Sequence, residues 1–355
     1  MDKLSISKKL KPELLVIIIF FLLTASTVDH TEAQSTIKNR FLATNQIRWK
    51  NLVFKARSFL YDIDIQIDID FLSPDTSKTP YPPTVKKSLQ NSLNDNIRTN
   101  KILRISVITS VNPLIGSKED IKHTAFYSIK NNTYIQKAHS DICKGLLSIK
   151  GLKFLEYVKL SIGKKKRERI YWLKDTGIVR VKKTPSNPNE KEMPPDLWTD
   201  IKKSFYPYGI QGIKPRDIIE PSILMLFPHT IFHKLKQAKL LVLNKRRIYL
   251  LQIHATDINN MHIFHLQNRK ESNIPERGMA KYIKVSFSPR SLTNTEKEDK
   301  EFSFFGLKGD FDIYIDRDSG LPVLIHGRLS GFGDINIKLY KPAWPDPKHP
   351  GHPRI

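Results

Sequence analysis

Hydrophobic and polar residues alternate most regularly over residues 61–70. From Ile63 to Ile69 an isoleucine takes every second position, and aspartate or glutamine takes the positions between them. Successive side chains of a strand point to opposite faces, so this pattern predicts a strand with one buried face. The carboxylates could suggest a calcium site, but same-face positions lie about 7 Å apart and diverge, whereas calcium needs about six to eight converging oxygens. We therefore expect a solvated face beside basic neighbours.

Short strand-like runs recur along the rest of the chain. Turn signals at Asn131-Asn132, at 175–177 and at Asn244 separate several of them, as in antiparallel meanders. Because no long helical pattern intervenes, the sequence predicts a mostly β fold, an antiparallel curved sheet or partly open barrel. The further predicted strands are 102–111, 124–129, 133–138, 154–162, 169–173, 240–243, 247–255, 262–266, 279–287, 311–315, 321–329 and 335–340.

Helix signals are few. Residues 196–205 follow two prolines and could form a short helix, and Glu220-Pro221-Ser222 looks like a helix start with proline in the first turn. Pro228 would end that second helix. The sequence therefore predicts two or three short helices beside the sheet.

Proline-rich stretches divide the chain into candidate segments. Residues 73–100 are rich in Pro, Ser, Thr and Asn and predict a long loop or linker, and 184–195 predicts an exposed loop. The predicted organisation is a signal peptide over 1–33, an N-terminal β segment over 34–72, the linker over 73–100, a main β-rich domain over 101–341 and a proline-rich tail over 342–355.

The N-terminus carries the features of an export signal. Several lysines precede an apolar run over 14–23, and Thr31-Glu32-Ala33 places small residues where a signal peptidase reads them. The apolar run is shorter than the roughly 20 residues that span a bilayer. We expect cleavage before Gln34 and a location in the periplasm or cell envelope, with an uncleaved anchor as the alternative.

Charge and cysteine content narrow the expected partners. The formal net charge is +24, and Cys143 is the single cysteine, so no intrachain disulfide can form. A strongly basic exported protein is attracted to anionic phospholipid, glycolipid or wall polymer. A basic composition with much solvated lysine would look the same, and that alternative stays open.

Motifs for catalysis or metal binding are missing from the sequence. Gly-x-Ser-x-Gly, phosphate-binding loops and dinucleotide fingerprints do not occur. His229 and His233 could share a helix face, but no glutamate completes a zinc-hydrolase pattern, and His262 and His265 would lie on opposite faces of a strand. We expect no metal, no cofactor and no catalytic residue.

Two basic clusters beside turns are the candidate binding site. Basic residues next to aromatic rings can hold a phosphate-bearing surface, although a charged turn between strands is the simpler explanation of them. The candidate ligand-binding residues are Lys164, Lys165, Lys166, Arg167, Arg169, Trp172, Lys245, Arg246 and Arg247.

The C-terminal region resembles the closing hairpin of a bacterial exported cell-envelope family of the domain-of-unknown-function type. The resemblance covers 122–340 and is strongest over 311–340, and the Glu220-Pro221-Ser222 element and the strand from Arg247 to Ile253 also fit it. It implies an exported, mostly β, non-catalytic domain and supplies no substrate. The corresponding positions are Tyr314, Asp316, Asp318, Pro322, Val323, Gly333 and Leu339.

These observations lead to one expected function with two alternatives. We expect a non-catalytic domain that binds or scaffolds an anionic lipid, glycolipid or wall polymer, with peripheral rather than integral membrane association and no nucleic-acid partner. The first alternative is an envelope hydrolase whose site comes together only in the fold. The second is a nucleic-acid binder, which the charge favours and export opposes.

Overall fold

Antiparallel strands form most of the regular structure, as the alternating pattern predicts. The computed structural model describes residues 49–58, 60–72, 101–114, 116–137, 145–163, 165–227, 237–258, 281–292 and 302–343, all within one compact unit, Asn39–Ile355. The strands are β1 Asn51–Arg57, β2 Tyr61–Leu72, β3 Lys101–Pro113, β4 Glu119–Lys137, β5 Leu147–Ile162, β6 Arg167–Lys174, β7 Gly177–Thr184, β8 Asp200–Pro207, β9 Ile218–Ile219, β10 Gln237–Asn244, β11 Arg247–Ile258, β12 Tyr282–Ser291, β13 Ser303–Phe304, β14 Leu307–Asp316, β15 Pro322–Leu329 and β16 Gly333–Ala343.

The described strands belong to one large, open, curved sheet. Its order is β8-β7-β6-β5-β4-β3-β2-β1-β16-β15-β14-β12-β11-β10-β9, with β13 beside β14. Neighbours pair antiparallel except β9 and β10, which pair parallel. β1 and β2 lie in the middle of this sheet, because β1 pairs with β16 and β2 pairs with β3.

The sheet curves until β10 approaches the start of β5. An isolated parallel bridge joins Leu146 to Lys239, and the Lys239 backbone N–H donates to the Gly145 carbonyl at 3.3 Å. The first half of the long strand β5 therefore meets β10, while its second half pairs with β6. Strands β6, β7 and β8 extend the sheet beyond this meeting point.

The main core covers one face of the sheet, which we call the inner face. The isoleucines from Ile63 to Ile69 are buried there, as the alternation predicts, with phenylalanines of β12 and β14 stacked at 4.7 Å between the ring centroids of Phe287 and Phe311. Smaller apolar clusters lie around Phe126 and Tyr314. The outward carboxylates of β2 face basic neighbours as expected, since Asp64 pairs with Arg57 at 2.9 Å.

Helical structure is scarcer than the sequence predicts. The described residues contain no α-helix, and the expectation of two or three short helices is not supported. The helical pieces are the 3-10 segments Asn189–Glu192, Pro195–Leu197, Pro215–Asp217 and Pro221–Leu226. Only Pro221–Leu226 exceeds four residues; all its side chains are buried, and it packs against β3 and β10. It begins at the predicted Glu220-Pro221-Ser222 element.

The predicted helix over 196–205 is wrong. Beyond the 3-10 turn Pro195–Leu197, the chain forms β8, which pairs with β7 along its whole length. Its residues alternate between the two faces of the sheet, so the tertiary pairing outweighs the weak local helix signal.

The predicted break between 124–129 and 133–138 is also wrong. Both runs belong to β4, and the ladder to β5 shifts register between Ile129 and Tyr134. The turn-prone asparagines between them lie in this irregularity, because a bulge absorbs extra residues without ending a strand.

Several predicted features lie outside the described residues. They are the signal peptide 1–33, the linker 73–100, the strand 262–266, most of the tail 342–355, Cys143, Lys164 and the histidines His229, His233, His262 and His265. Within the described ranges, no helix has the length and hydropathy needed to cross a membrane.

Candidate functional site

A row of cations crosses the inner face of the sheet where the apolar core ends. Lys159 of β5 lies directly opposite Arg169 of β6, which lies opposite Lys182 of β7, which in turn lies opposite Lys202 of β8. We call these four residues the cationic row. On the β4 side, His123 continues the row opposite Lys159.

Like charges in register oppose strand pairing. Directly opposed like charges destabilise a sheet, by roughly 0.2–1 kcal/mol per pair. The opposite face of the same strands has the arrangement that stabilises a sheet, because Lys183 lies opposite Glu168 with 3.1 Å between Nζ and Oε2. On the inner face, the Lys202 Nζ lies 3.8 Å from a carboxylate oxygen of Asp200. Lys159 and Arg169, by contrast, form no ion pair with any carboxylate of the described residues. A ligand that carries negative charge would relieve this repulsion.

The turn between β10 and β11 adds charge to the row. Burial, followed by the charges of Lys245, Arg169 and Arg167, lowers the pKa of Lys159 to about 8. The adjacent Arg246 has its guanidinium carbon 5.8 Å from the ring centroid of Tyr206. Turns that are far apart in the chain therefore direct their cations toward one region of the inner face.

Buried guanidinium groups near this region keep unused donors. The Nε atoms of Arg167 and Arg180 are buried and have no hydrogen-bond partner among the described residues. Arg180 also lies 5.1 Å from the Tyr206 ring centroid. Buried unpaired donors are costly in a folded protein, so they indicate a place where an acceptor from a ligand or solvent binds.

A small polar cavity lies at the inner end of the cationic row, beside Lys159. Its volume is about 30 Å³, enough for one or two water molecules or a compact polar group. We call it the Glu220 cavity. Its lining residues are His123, Tyr157, Lys159, Tyr171, Glu220, Pro221, Ser222, Leu243, Asn244, Lys245, Ser303, Phe304 and Phe305.

Glu220 is held rigidly at the wall of this cavity. Its backbone N–H donates to the Tyr127 hydroxyl at 3.1 Å, and that hydroxyl donates to the Glu220 carbonyl at 3.0 Å. Its carboxylate Oε2 accepts from the Ser222 N–H at 2.9 Å and from the Ser222 hydroxyl. Burial outweighs these bonds and raises the pKa of Glu220 to about 7, so this carboxyl titrates near neutral pH.

The other walls carry a histidine and tyrosines. The Nδ1 atom of His123 hydrogen-bonds the Tyr157 hydroxyl, and the rings of Tyr157 and Tyr171 lie 5.7 Å apart between centroids. Burial, together with the charge of Lys159, lowers the pKa of His123 well below its usual range. Burial likewise raises the pKa of both tyrosines. His123 and the tyrosines are therefore neutral at pH 7, and the positive charge comes from lysine and arginine.

The structure brings part of the predicted basic patch together. Arg167 and Arg169 share the inner face of β6, and Lys245 and Arg246 reach the same region from the β10–β11 turn. The predicted clusters therefore meet, although 79 positions separate Arg167 from Arg246 in the sequence.

Other predicted patch residues lie elsewhere. Trp172 points to the opposite face of β6 from Arg169, because the two are three residues apart in one strand. Lys166 turns toward the 185–199 segment and donates to the Lys191 carbonyl at 2.6 Å. Lys165 is exposed, Arg247 begins β11, and Lys164 lies outside the described residues.

Sequence reasoning named Lys245 as a site residue and missed the other residues that build the cavity. Glu220 stands between apolar runs, and this isolated carboxylate was the one local signal that could have identified it. Lys159 and His123 sit within ordinary strand patterns and carry no such signal. No cluster of three or more possible metal ligands occurs among the described residues.

Comparisons with known proteins identify no relative of established function. No protein-family model matches the chain, and no curated protein matches it in sequence. One similar solved structure is the crystal structure of a β-barrel-like protein of domain of unknown function DUF1849 from Brucella abortus, with a TM-score of 0.41 and 8% identity over 84% of this chain and 98% of that chain. A likeness at this level does not establish a shared family, and the resemblance seen in the C-terminal hairpins stays a prediction.

Proposed function

We propose that this chain is an exported, non-catalytic domain that binds an anionic component of the cell envelope through the inner face of β5–β8. The observation that carries the proposal is the cationic row, in which Lys159, Arg169 and Lys182 occupy directly opposed positions on adjacent strands. The repulsion destabilises the sheet and contributes nothing to folding, and such unfavourable arrangements are typical of functional sites.

The size of the Glu220 cavity argues for a surface-bound ligand. Pockets that enclose a small molecule measure about 300–1,000 Å³, and the cavity is about 30 Å³. A polymer or headgroup that lies across the strands and presents charged groups to the row satisfies the geometry. An acyl chain enclosed in this cavity does not satisfy the geometry, because the cavity is too small.

Vesicle binding tests the proposal. Purified chain is mixed with phosphatidylglycerol vesicles and with neutral phosphatidylcholine vesicles at low and high salt. The double variant K159Q/R169Q should bind the anionic vesicles about 10- to 30-fold more weakly, since each cation near an anionic surface contributes about 1 kcal/mol. The matched control K101Q/K153Q removes the same charge from exposed positions and should lose less than about threefold.

Either of two results would contradict this proposal. One is equal loss of binding in the two double variants, because general charge would then explain the attraction. The other is failure of the wild-type chain to bind anionic vesicles and envelope fractions at low salt.

Export is a separate part of the proposal. The mass of C-terminally tagged protein from a periplasmic extract should match a chain beginning near Gln34. An intact leader in the membrane fraction would mean an anchored protein, and full-length soluble material would return nucleic acid as the preferred ligand class.

Hydrolysis is a second candidate function, favoured by one observation. The Glu220 cavity brings together a carboxylate, a lysine and a histidine, the group types that catalyse proton transfer. Against it, the Ser222 hydroxyl donates to Glu220 and His123 is engaged by Tyr157. Turnover of chromogenic phosphate or carboxylate esters that is lost in K159M would establish it, and inactivity toward both would remove it.

A further inference from the structure

The residues of the Glu220 cavity are held in more fixed positions than a general electrostatic attraction to a surface would require. Glu220 is 7% exposed and Tyr127 is fully buried, and the Tyr127 hydroxyl bonds the backbone N–H and carbonyl of Glu220, which fixes the backbone that carries the carboxyl. Ser222 occupies one carboxylate oxygen, Oε2. No described hydrogen bond engages the other oxygen, which is left for a group inside the cavity.

Cations and neutral hydroxyls surround this carboxyl. The titratable groups that line the cavity with it or exert charge on the lining are His123 and Tyr127 of β4, Tyr157 and Lys159 of β5, Arg167, Arg169 and Tyr171 of β6, Arg180 of β7, Tyr206 of β8, and Lys245 of the β10–β11 turn. Their combined charge at neutral pH is positive. The space therefore suits a small anion.

We propose that the Glu220 cavity binds the terminal phosphate or sulfate group of an anionic ligand, with Lys159 as its cation and protonated Glu220 as a hydrogen-bond donor to one of its oxygens. This inference rests on the proposed function and names the chemical group that the basic face recognises. One or two oxygens of a tetrahedral oxyanion fit the space that the cavity offers to water, and its remaining oxygens can face the donors of Arg169 and the nearby turn.

Proton balance gives the site a signature. Glu220 has a pKa of about 7, so it is largely ionised at pH 8 and must take up a proton from solvent before it can donate to an anion. Lys159, with a pKa of about 8, takes up a smaller share. The tyrosines remain neutral throughout, and His123 could take up a proton only if the anion reversed its strongly lowered pKa.

Inorganic sulfate is the first probe, because its charge is constant between pH 6 and 8. The protonated fraction of Glu220 falls about tenfold over this range and that of Lys159 about twofold. Wild-type affinity for sulfate, measured by calorimetry, should therefore fall about twentyfold from pH 6 to pH 8. In E220Q, whose amide mimics the protonated acid, it should fall only about twofold.

Glu156 provides a matched control on the same strand as Lys159. Its pKa is also raised, to about 8, by burial and the neighbouring Glu168, but it does not line the cavity. E156Q should keep the twentyfold dependence. Calorimetry of the wild type in buffers of different ionisation enthalpy measures proton uptake directly, so the test survives if E220Q fails to fold.

The outcomes separate the inference from the proposed function. Sulfate that binds without proton uptake, or an unchanged pH dependence in E220Q, overturns the role of Glu220. Failure to bind sulfate and phosphate while anionic vesicles still bind overturns the site but leaves the proposed function standing. If sulfate, phosphate and anionic vesicles all fail to bind, both the inference and the proposed function are wrong.

Vesicle composition distinguishes the two sources of the group. A headgroup ligand predicts tighter binding to phosphatidate, which ends in a phosphate monoester, than to phosphatidylglycerol at equal surface charge, with competition by millimolar sulfate. Sulfate binding that leaves vesicle binding unchanged supports a free anion as the ligand. Vesicle binding that sulfate cannot compete with, in a chain that does not bind sulfate alone, contradicts the inference.

Discussion

Removing one hydroxyl should reveal how strongly the candidate site is built into the fold. In Tyr127→Phe the ring remains in the core, but the hydroxyl that bonds both the N–H and the carbonyl of Glu220 is lost. The carbonyl still accepts from the Ile223 N–H at 3.3 Å. The Glu220 N–H is therefore the group that is left without a hydrogen-bond partner.

The expected cost follows from burial. Tyr127 and Glu220 are 0% and 7% exposed, so water cannot easily replace the hydroxyl. A buried donor left without a partner costs about 1–3 kcal/mol of folding free energy. We expect the free energy of unfolding of Tyr127→Phe, from urea denaturation followed by circular dichroism, to fall by that amount.

A control variant on the same strand isolates the effect. Tyr134 of β4 is half-buried and has no hydrogen bond from its hydroxyl among the described residues. Tyr134→Phe should change the free energy of unfolding by less than about 0.5 kcal/mol. If both variants lose the same stability, or if Tyr127→Phe loses none, the claim that Tyr127 anchors Glu220 is incorrect.

Three further changes test other parts of the structure. Gly177→Ala places a Cβ against the Tyr206 carbonyl, so urea denaturation should show a loss of about 1–3 kcal/mol from overpacking; unchanged stability would refute that close approach. Hydrogen bonds from Ser186 and Thr199 lower the pKa of Glu190 to about 2, below its ordinary 4.5, so their stabilisation is present above pH 4.5 and lost as pH falls toward 2. In the wild type, hydrogen exchange of the nearby Trp198 indole N–H, measured by NMR, should become faster as the pH falls over that range. In Glu190→Gln the same N–H should exchange fast at every pH, without this change. Lys159→Met should raise stability by roughly 0.2–1 kcal/mol while weakening sulfate binding, and a loss of both would contradict the repulsion argument.

The β character of the chain was predictable because it is a local property. Alternation with period two depends on neighbouring residues alone, and the strands β2, β10, β11 and β14–β16 lie where their patterns predict. The sequence also predicted the helical turn after Glu220. It failed at 196–205, where a weak local helix signal competed with a complete ladder to β7.

The site was predictable only in part, because charge clusters are visible in sequence and their meeting is not. The runs around Arg167 and Lys245 were recognised as basic, but their approach depends on the curvature that brings β10 near the start of β5. Trp172, by contrast, was grouped with Arg169 from proximity in sequence, and the alternation of a strand places it on the other face.

What the sequence alone determined is therefore the strand content and the basic character, and export stays a prediction. The tertiary structure decided the rest, because hydrogen-bond register sets which side chains lie opposite each other. Lys159 and Lys202 share one row through three ladders, and Glu220 is buried against Tyr127, 93 residues earlier in the chain. Such neighbours, and the raised pKa that burial produces, arise only when distant segments pack together.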